Sequence, residues 1–154
     1  MYKRVSLFVS MILTLLMLQG CANNVKTKTF KGQISGVNVS QTFVYAGDRV
    51  LSVSMTQNIP YSYLNVSSRT EAEQMKLSEI QKANSWPGVT YKVRFFATWC
   101  EEVLVIDFST ASPNIVNRFL PNQDITSQQN FISMSATQSN YLRDGNLVLV
   151  HSTD

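Results

Sequence analysis

The sequence predicts an α+β domain: a mainly antiparallel sheet built from two hairpins plus a C-terminal strand, with two or three helices on one face. Apolar and polar residues alternate with period two over residues 37–45, 51–56 and 89–99. Strands that alternate, rather than running apolar throughout, belong to a sheet with one wet face. A stretch with helical spacing falls between the two hairpins and two shorter ones follow the second. The resulting order, ββ(β)–α–ββ–α–α–β, is that of a mixed α+β domain.

Taken in order, Val37, Val39, Phe43 and Tyr45 share one side of a strand and Asn38, Ser40 and Thr42 the other. Ala46-Gly47-Asp48-Arg49 makes the turn, with Gly47 taking the positive φ that short hairpins need. Leu51, Val53 and Met55 alternate with Ser52, Ser54 and Thr56 on the return, and residues 29–34 read as an added edge strand. Beyond Pro60 and Ser67-Ser68, the segment Thr70-Glu71-Ala72-Glu73 has capping-box spacing. Ala72, Met75, Ile80 and Ala83 fall on one stripe, so residues 71–84 form an amphipathic helix laid on the sheet, ended by Trp86-Pro87-Gly88.

In the second hairpin Val89, Tyr91, Val93, Phe95, Ala97 and Trp99 alternate with Thr90, Lys92, Arg94, Phe96 and Thr98. Glu101-Glu102 is placed at or near the reversal, with residues 103–108 returning as an apolar strand. Ser112-Pro113 has the form of an N-cap followed by proline at the first helical position, opening a short helix to about Phe119. Residues 121–129 read as loop. Ser135 is expected to cap a last helix over residues 136–143, stopped by Asp144-Gly145 before a final strand, 147–151.

The first twenty residues stand apart from this domain. Lys3 and Arg4 precede fourteen uncharged residues, 5–18 (VSLFVSMILTLLML). That run is short of the roughly 20 residues a spanning helix needs, and it fits a secretory signal. Leu18-Gln19-Gly20-Cys21 follows, which resembles the lipobox of bacterial lipoproteins, with Gln19 in place of the small residue usual there. The resemblance implies cleavage between Gly20 and Cys21 and a diacylglyceryl thioether on Cys21. The alternatives are an ordinary cleaved signal with a chance cysteine, or a short uncleaved anchor. Residues 1–20 are thus read as signal, 21–28 as lipidated N-terminus and polar tether, and 29–154 as one domain. Ala22 after the cysteine, rather than Asp, resembles the pattern sent on to the outer membrane in two-membrane bacteria.

Cleavage leaves 134 of the 154 residues, enough for one core. It also removes two cations, so 11 basic against 10 acidic side chains remain. A nucleic-acid binder needs a cationic face, and this near-neutral chain is not expected to be one. Ser, Thr, Asn and Gln supply 48 mature residues against 21 charged ones, so the wet surface is mostly neutral.

Residues 42–57, TFVYAGDRVLSVSMTQ, resemble the first hairpin of the YehR-like bacterial lipoproteins, an aromatic-Val-Tyr strand meeting a Gly-Asp turn and a basic-Val-Leu return. Gly88-Val89, Val105-Ile106-Asp107 and Ile132-Ser133-Met134 fall in matching order. The resemblance runs from about Gln41 to Leu149 and includes the lipobox. It implies a small α+β lipoprotein domain, and of its residues only the lipobox cysteine carries a role across.

Phe96-Ala97-Thr98-Trp99-Cys100 is similar to a thioredoxin site, but Glu101, Glu102 and Val103 follow where a resolving thiol is required. Two neighbouring carboxylates also disfavour the thiolate. His151 is the sole histidine and stands near the C-terminus, too little for a metal site or a histidine-dependent triad. No serine sits in a Gly-x-Ser-x-Gly elbow. Glu101-Glu102 has the composition of a paired-carboxylate site, but adjacent strand residues point to opposite faces, so the pair is read as a solvated turn. Trp86, Tyr91, Phe95 and Trp99 stand at positions more usual for core than for a ligand groove. The expectation is a lipid-anchored, non-catalytic envelope protein without metal or cofactor that binds another envelope component. An envelope enzyme would show a concave pocket with a perturbed carboxylate, and a small-ligand carrier a cavity between helices and sheet.

Overall fold

Alternation places each strand, and pairing then decides which strand lies inside. The computed structural model describes residues 24–120 and 131–153. Six strands form one sheet in the order β4-β5-β3-β2-β1-β6, every neighbouring pair antiparallel. They are β1 (Val25–Ile34), β2 (Val37–Ala46), β3 (Arg49–Pro60), β4 (Val89–Phe95), β5 (Trp99–Asp107) and β6 (Leu147–Ser152). The helices are α1 (Arg69–Asn84), α2 (Pro113–Phe119) and α3 (Met134–Asp144), and a 3-10 turn, Tyr61–Leu64, links β3 to α1.

Register sorts the side chains into two faces. Phe30 lies opposite Gln41, Phe43 opposite Val53, and Val53 opposite Ile106, which is in turn opposite Val89. Apart from Gln41, a buried polar residue, they lie with Tyr91, Leu104, Val116, Met134 and Leu147 in one core cluster. All three helices pack on that side. Tyr141 of α3 meets the ring of Phe30 edge-on at 5.0 Å, and Phe119 of α2 meets Trp86 edge-on at 5.6 Å. The opposite face carries Thr29, Ser40, Thr42, Ser52, Ser54 and Thr56, with the Thr29 and Thr42 hydroxyls 2.9 Å apart. The α+β architecture with its helices on one face is therefore as expected.

Several boundaries differ from expectation. Val25–Lys28, read as tether, begin β1. That strand lies inside the sheet, not at its edge, because β6 pairs along its outer side. Gly32 makes this possible, since a Cβ there would lie 1.9 Å from the carbonyl oxygen of Asn146. The cap of α1 is Ser68, whose hydroxyl accepts from Glu71 N–H while the Glu71 carboxylate accepts from Ser67 N–H. The capping box thus sits two residues before the one read from Thr70 and Glu73. Ser133, not Ser135, caps α3. Gly47 has φ 60°, as the first hairpin requires, and the Asp48 that follows ties this turn to α3. Its carboxylate accepts from Ser133 Oγ at 2.6 Å and from Ser135 N–H at 2.8 Å. The loop expected over residues 121–129, the signal and the lipobox lie outside the described residues.

The second hairpin holds the largest correction. Its reversal is Phe96-Ala97-Thr98, four residues before Glu101-Glu102. Phe96 N–H donates to the Trp99 carbonyl at 2.9 Å, and the two rings stack with centroids 4.0 Å apart. Neither Ala97 nor Thr98 is a turn residue by type. Stacking, that backbone bond and two bonds from Tyr61, whose hydroxyl donates to the Phe96 carbonyl at 2.7 Å and whose N–H donates to the Thr98 carbonyl at 3.0 Å, hold the turn where Gly, Pro or Asn usually does.

Candidate functional site

Moving the reversal changes where Glu102 points. Within β5 it lies opposite Gln57 of β3 and Val93 of β4, on the face beneath the helices, whereas Glu101 faces the opposite way. A carboxylate on that side needs a counter-charge. Lys76 of α1 supplies it: Nζ lies 2.8 Å from Glu102 Oε1 and 2.7 Å from Glu79 Oε2. Lys76 stands four residues from both Ala72 and Ile80, so the stripe 72, 76, 80, 83 fits a helix better than one through Met75. Met75 is in fact exposed, while Lys76 is buried with Ala72 and Ala83. Burial opposes the charge on Lys76, but Glu102 and Glu79 outweigh it and hold the ammonium pKa above its ordinary value.

Tyr91 of β4 comes up beside this pair. It is 6% exposed, and its hydroxyl and Glu102 Oε1 are both buried without a hydrogen bond that satisfies them. The Lys76–Glu102 contact is close enough for an ion pair but is not aligned as a hydrogen bond. Burial, then the negative charge of Glu102 and the contact of its carboxylate with the phenol, pushes the Tyr91 pKa far up, so the phenol keeps its proton. Asn84 at the end of α1 fixes the strand here by bonding both the N–H and the carbonyl of Tyr91, at 2.7 and 2.9 Å.

Around these atoms α1, α2 and strands β3, β4 and β5 leave a cleft. One part, about 140 Å3, is lined by Met55, Gln57, Glu79, Tyr91, Glu102 and Phe119, together with Leu104. An adjoining part of about 120 Å3 shares Glu79, Tyr91 and Phe119 and adds Trp86, Lys82 and Arg118. The Arg118 guanidinium lies 5.0 Å from the Trp86 ring centre. Donors on the sheet floor are weakly engaged. The amides of Gln41 and Gln57 both donate to the Met55 thioether, at 3.2 and 3.3 Å, and sulfur is a poor acceptor. Gln41 also accepts from the Tyr141 hydroxyl.

The residues singled out from sequence separate in space. Trp86 and Tyr91 line the cleft. Phe95 packs instead against the small second core formed by Ile59, Tyr61, Ala72 and Cys100. Trp99 lies on the hairpin turn against Phe96. Glu101 pairs loosely with Arg94, at 3.7 Å, on the opposite face. His151 is exposed at the end of β6. Cys100 is fully buried within a strand, its pKa raised by burial and by Glu102, which is the reverse of an activated thiol. Among the described residues, no group of three or more His, Cys, Asp or Glu is arranged to hold a metal ion. Lys76, Glu79, Gln57 and Phe119 were not legible as site residues. Of these, only Lys76 left a trace, in its place on the helix stripe.

Comparison with known proteins places this architecture. The family described as a protein of unknown function, DUF1307, matches residues 26–146. The chain is 28% identical over 105 residues to the uncharacterized lipoprotein YehR of Escherichia coli, covering 68% of each. It is 25% identical over 118 residues to the uncharacterized lipoprotein Lmo0207 of Listeria monocytogenes, covering 77% of each. The solution structure of E. coli YehR superimposes with a TM-score of 0.68 at 19% identity, covering 84% of this chain and 94% of that one. A Streptococcus pneumoniae protein does so with 0.58 at 18%, covering 85% and 88%. With the family pattern running from β1 to the entry of β6 and the same fold in a solved relative, the chain belongs to the DUF1307 family, that of the YehR-like lipoproteins.

Proposed function

We propose that the mature protein is held in the bacterial envelope by lipid on Cys21, at the periplasmic face of the outer membrane where the cell has two membranes. In this reading its domain works by binding an envelope component and not by catalysis. The lipobox and the lipoprotein relatives support the anchor. Because β1 begins at Val25, only Ala22, Asn23 and Asn24 separate the lipidated cysteine from the sheet. At about 3.5 Å each, the four steps from Cys21 to Val25 hold the start of the sheet within roughly 14 Å of the lipidated residue.

The observation that carries the binding role is the cleft beside α1. It is lined by polar side chains, Gln57 and Glu79 among them, while the groups nearest to it that are capable of chemistry are held unreactive. Glu102 and Lys76 neutralise one another, Tyr91 keeps its proton, and the Cys100 thiol is sealed away. A binding site favours such groups; a general base or nucleophile needs a pKa nearer the working pH.

The test uses the mature lipidated protein carrying single photocrosslinkers at Lys82 or Arg118, at the cleft mouth, and at Ser54 on the opposite sheet face. Adducts in cells from the cleft positions but not from Ser54, with the adduct chemically unaltered, are expected. Adducts from Ser54 alone, or a captured component that the protein converts, would overturn the reading. Mass spectrometry of the same preparation is expected to find an acylated Cys21 at the N-terminus, and an unmodified cysteine would remove the anchor.

A further inference from the structure

We propose that the cleft takes a small carboxylic acid, its carboxylate at Lys82 and Arg118 and its short apolar body against Trp86 and Phe119. This deepens the binding role proposed above and rests on it.

The sign of the ligand's charge follows from the charges of the walls. Glu79 and Glu102 are both spent on one cation, the buried Lys76, at 2.7 and 2.8 Å. Lys82 and Arg118 line the mouth and are exposed, and among the described residues neither enters an ion pair. The Arg118 guanidinium rests on the Trp86 ring, 5.0 Å from its centre, a contact that keeps the charge available to an anion. Three cations therefore stand against two carboxylates, Lys76, Lys82 and Arg118 against Glu79 and Glu102. A single carboxylate balances the excess. A phosphate monoester, carrying about two negative charges, overshoots it, and an ammonium adds to it.

Size and lining decide the body. Beside the two cations the wall is Ala83, Trp86 and Phe119, the two rings meeting edge-on at 5.6 Å. The two parts of the cleft, about 120 and 140 Å3, are each well below the roughly 300 Å3 at which sites for drug-sized ligands begin. They suit a short alkyl chain or a single ring. With both cations at the exposed rim, the carboxylate keeps part of its water and only the apolar body is buried, which is the inexpensive way to seat a charge.

The test follows Trp86 fluorescence in the mature lipidated protein in an uncharged detergent, with Trp99→Phe removing the other tryptophan and keeping a ring on Phe96. The probes share a six-carbon body and differ in the head: hexanoate, 1-hexanol and hexylammonium. A saturable response to hexanoate is expected, about threefold or more tighter than to hexanol, with none to hexylammonium. Lys82→Gln is expected to weaken hexanoate about three- to fivefold at an unchanged thermal midpoint, as the loss of one exposed charge pair predicts. Lys82→Glu, which inverts the excess charge, is expected to shift the preference to hexylammonium, a change that a merely structural lysine would not produce. No saturable response to hexanoate, a response no tighter than that to hexanol, or one that both Lys82 variants leave unchanged overturns the proposal. So does a preference for hexylammonium in the protein with Lys82 intact. In each of these cases adducts captured from the cleft in cells leave the binding role standing, and their absence removes it. Chemical conversion of hexanoate overturns both.

Discussion

Glu101 and Glu102 are neighbours in the chain and occupy opposite electrostatic worlds. Glu101, 27% exposed, reaches toward an Arg94 that is 74% exposed, at 3.7 Å. Glu102, 12% exposed, meets a Lys76 that is 10% exposed, at 2.8 Å. The residue type is the same and the cation is present in both. Strand parity alone decides that one pair is a screened surface contact and the other a desolvated pair beneath a helix. Exposed pairs contribute about 0–1 kcal/mol, whereas breaking a buried one leaves a stranded charge.

The largest expected effect follows. Glu102→Ala is expected to destabilise the domain by about 3–5 kcal/mol, against about 0.5 kcal/mol or less for Glu101→Ala, measured by urea unfolding. Exchanging the pair together, Lys76→Met with Glu102→Leu, should recover most of the loss, because the stranded charge goes with its partner. Equal losses from the two glutamates would mean that Glu102 is solvated and the hairpin register is wrong.

Cys100 lies on the same side of β5 as Glu102, and comes next in size. Cys100→Ser places a hydroxyl among Ile59, Tyr61 and Ala72, with an expected loss of about 1–3 kcal/mol, while Cys100→Ala should lose less. In the folded protein its alkylation should be slow, with an apparent pKa above that of an exposed thiol. Fast modification near neutral pH would show an activated nucleophile and sink the non-catalytic reading.

The two kinds of charge also fail at opposite ends of the pH scale. Burial opposes ionisation of Asp48, but its bonds from Ser133, Ser135 and Met134 win and lower its pKa below 3.8. Ser109 lowers Asp107 likewise. A lowered carboxylate pKa gives stability present above the unfolded value and lost as pH falls through the folded one, so this part goes below about pH 4. Lys76 and Tyr91 are raised above 10.5 and 10.0. Their share is complete below those values and is lost as pH rises beyond them. Stability measured by urea midpoint should form a plateau with both shoulders. Asp48→Asn should blunt the acid one and Lys76→Met the alkaline one, and a shoulder that neither variant moves would contradict the assignment.

The same contrast explains what the sequence made legible. The first hairpin was readable because its turn depends on residue type: Gly47 adopts a φ that other residues resist. Ser112-Pro113 and Asp144-Gly145 were readable for the same reason, as local backbone chemistry. The second turn depends on Phe96 stacking on Trp99, and an aromatic pair at that spacing is equally at home in a continuing strand. Extending the strand through it put Glu102 at a wet turn and hid the cleft. Lys76 was missed because a lysine on an apolar stripe makes sense only once its partner, 26 residues on, is known to face it. The interior place of β1 depends on β6 docking against Gly32, which leaves no periodic signal at all.

The smallest expected change is the most direct measure of how the groups beneath the cleft are held, since it asks if the Tyr91 hydroxyl has a partner within the protein. In Tyr91→Phe the hydroxyl is removed and the buried ring kept. With no bond to lose, the variant should unfold at the same urea midpoint or a higher one, gaining up to about 1 kcal/mol. A loss of more than about 1 kcal/mol would show that the hydroxyl is already bound to Glu102 and would contradict its place as an unpartnered group beneath the cleft.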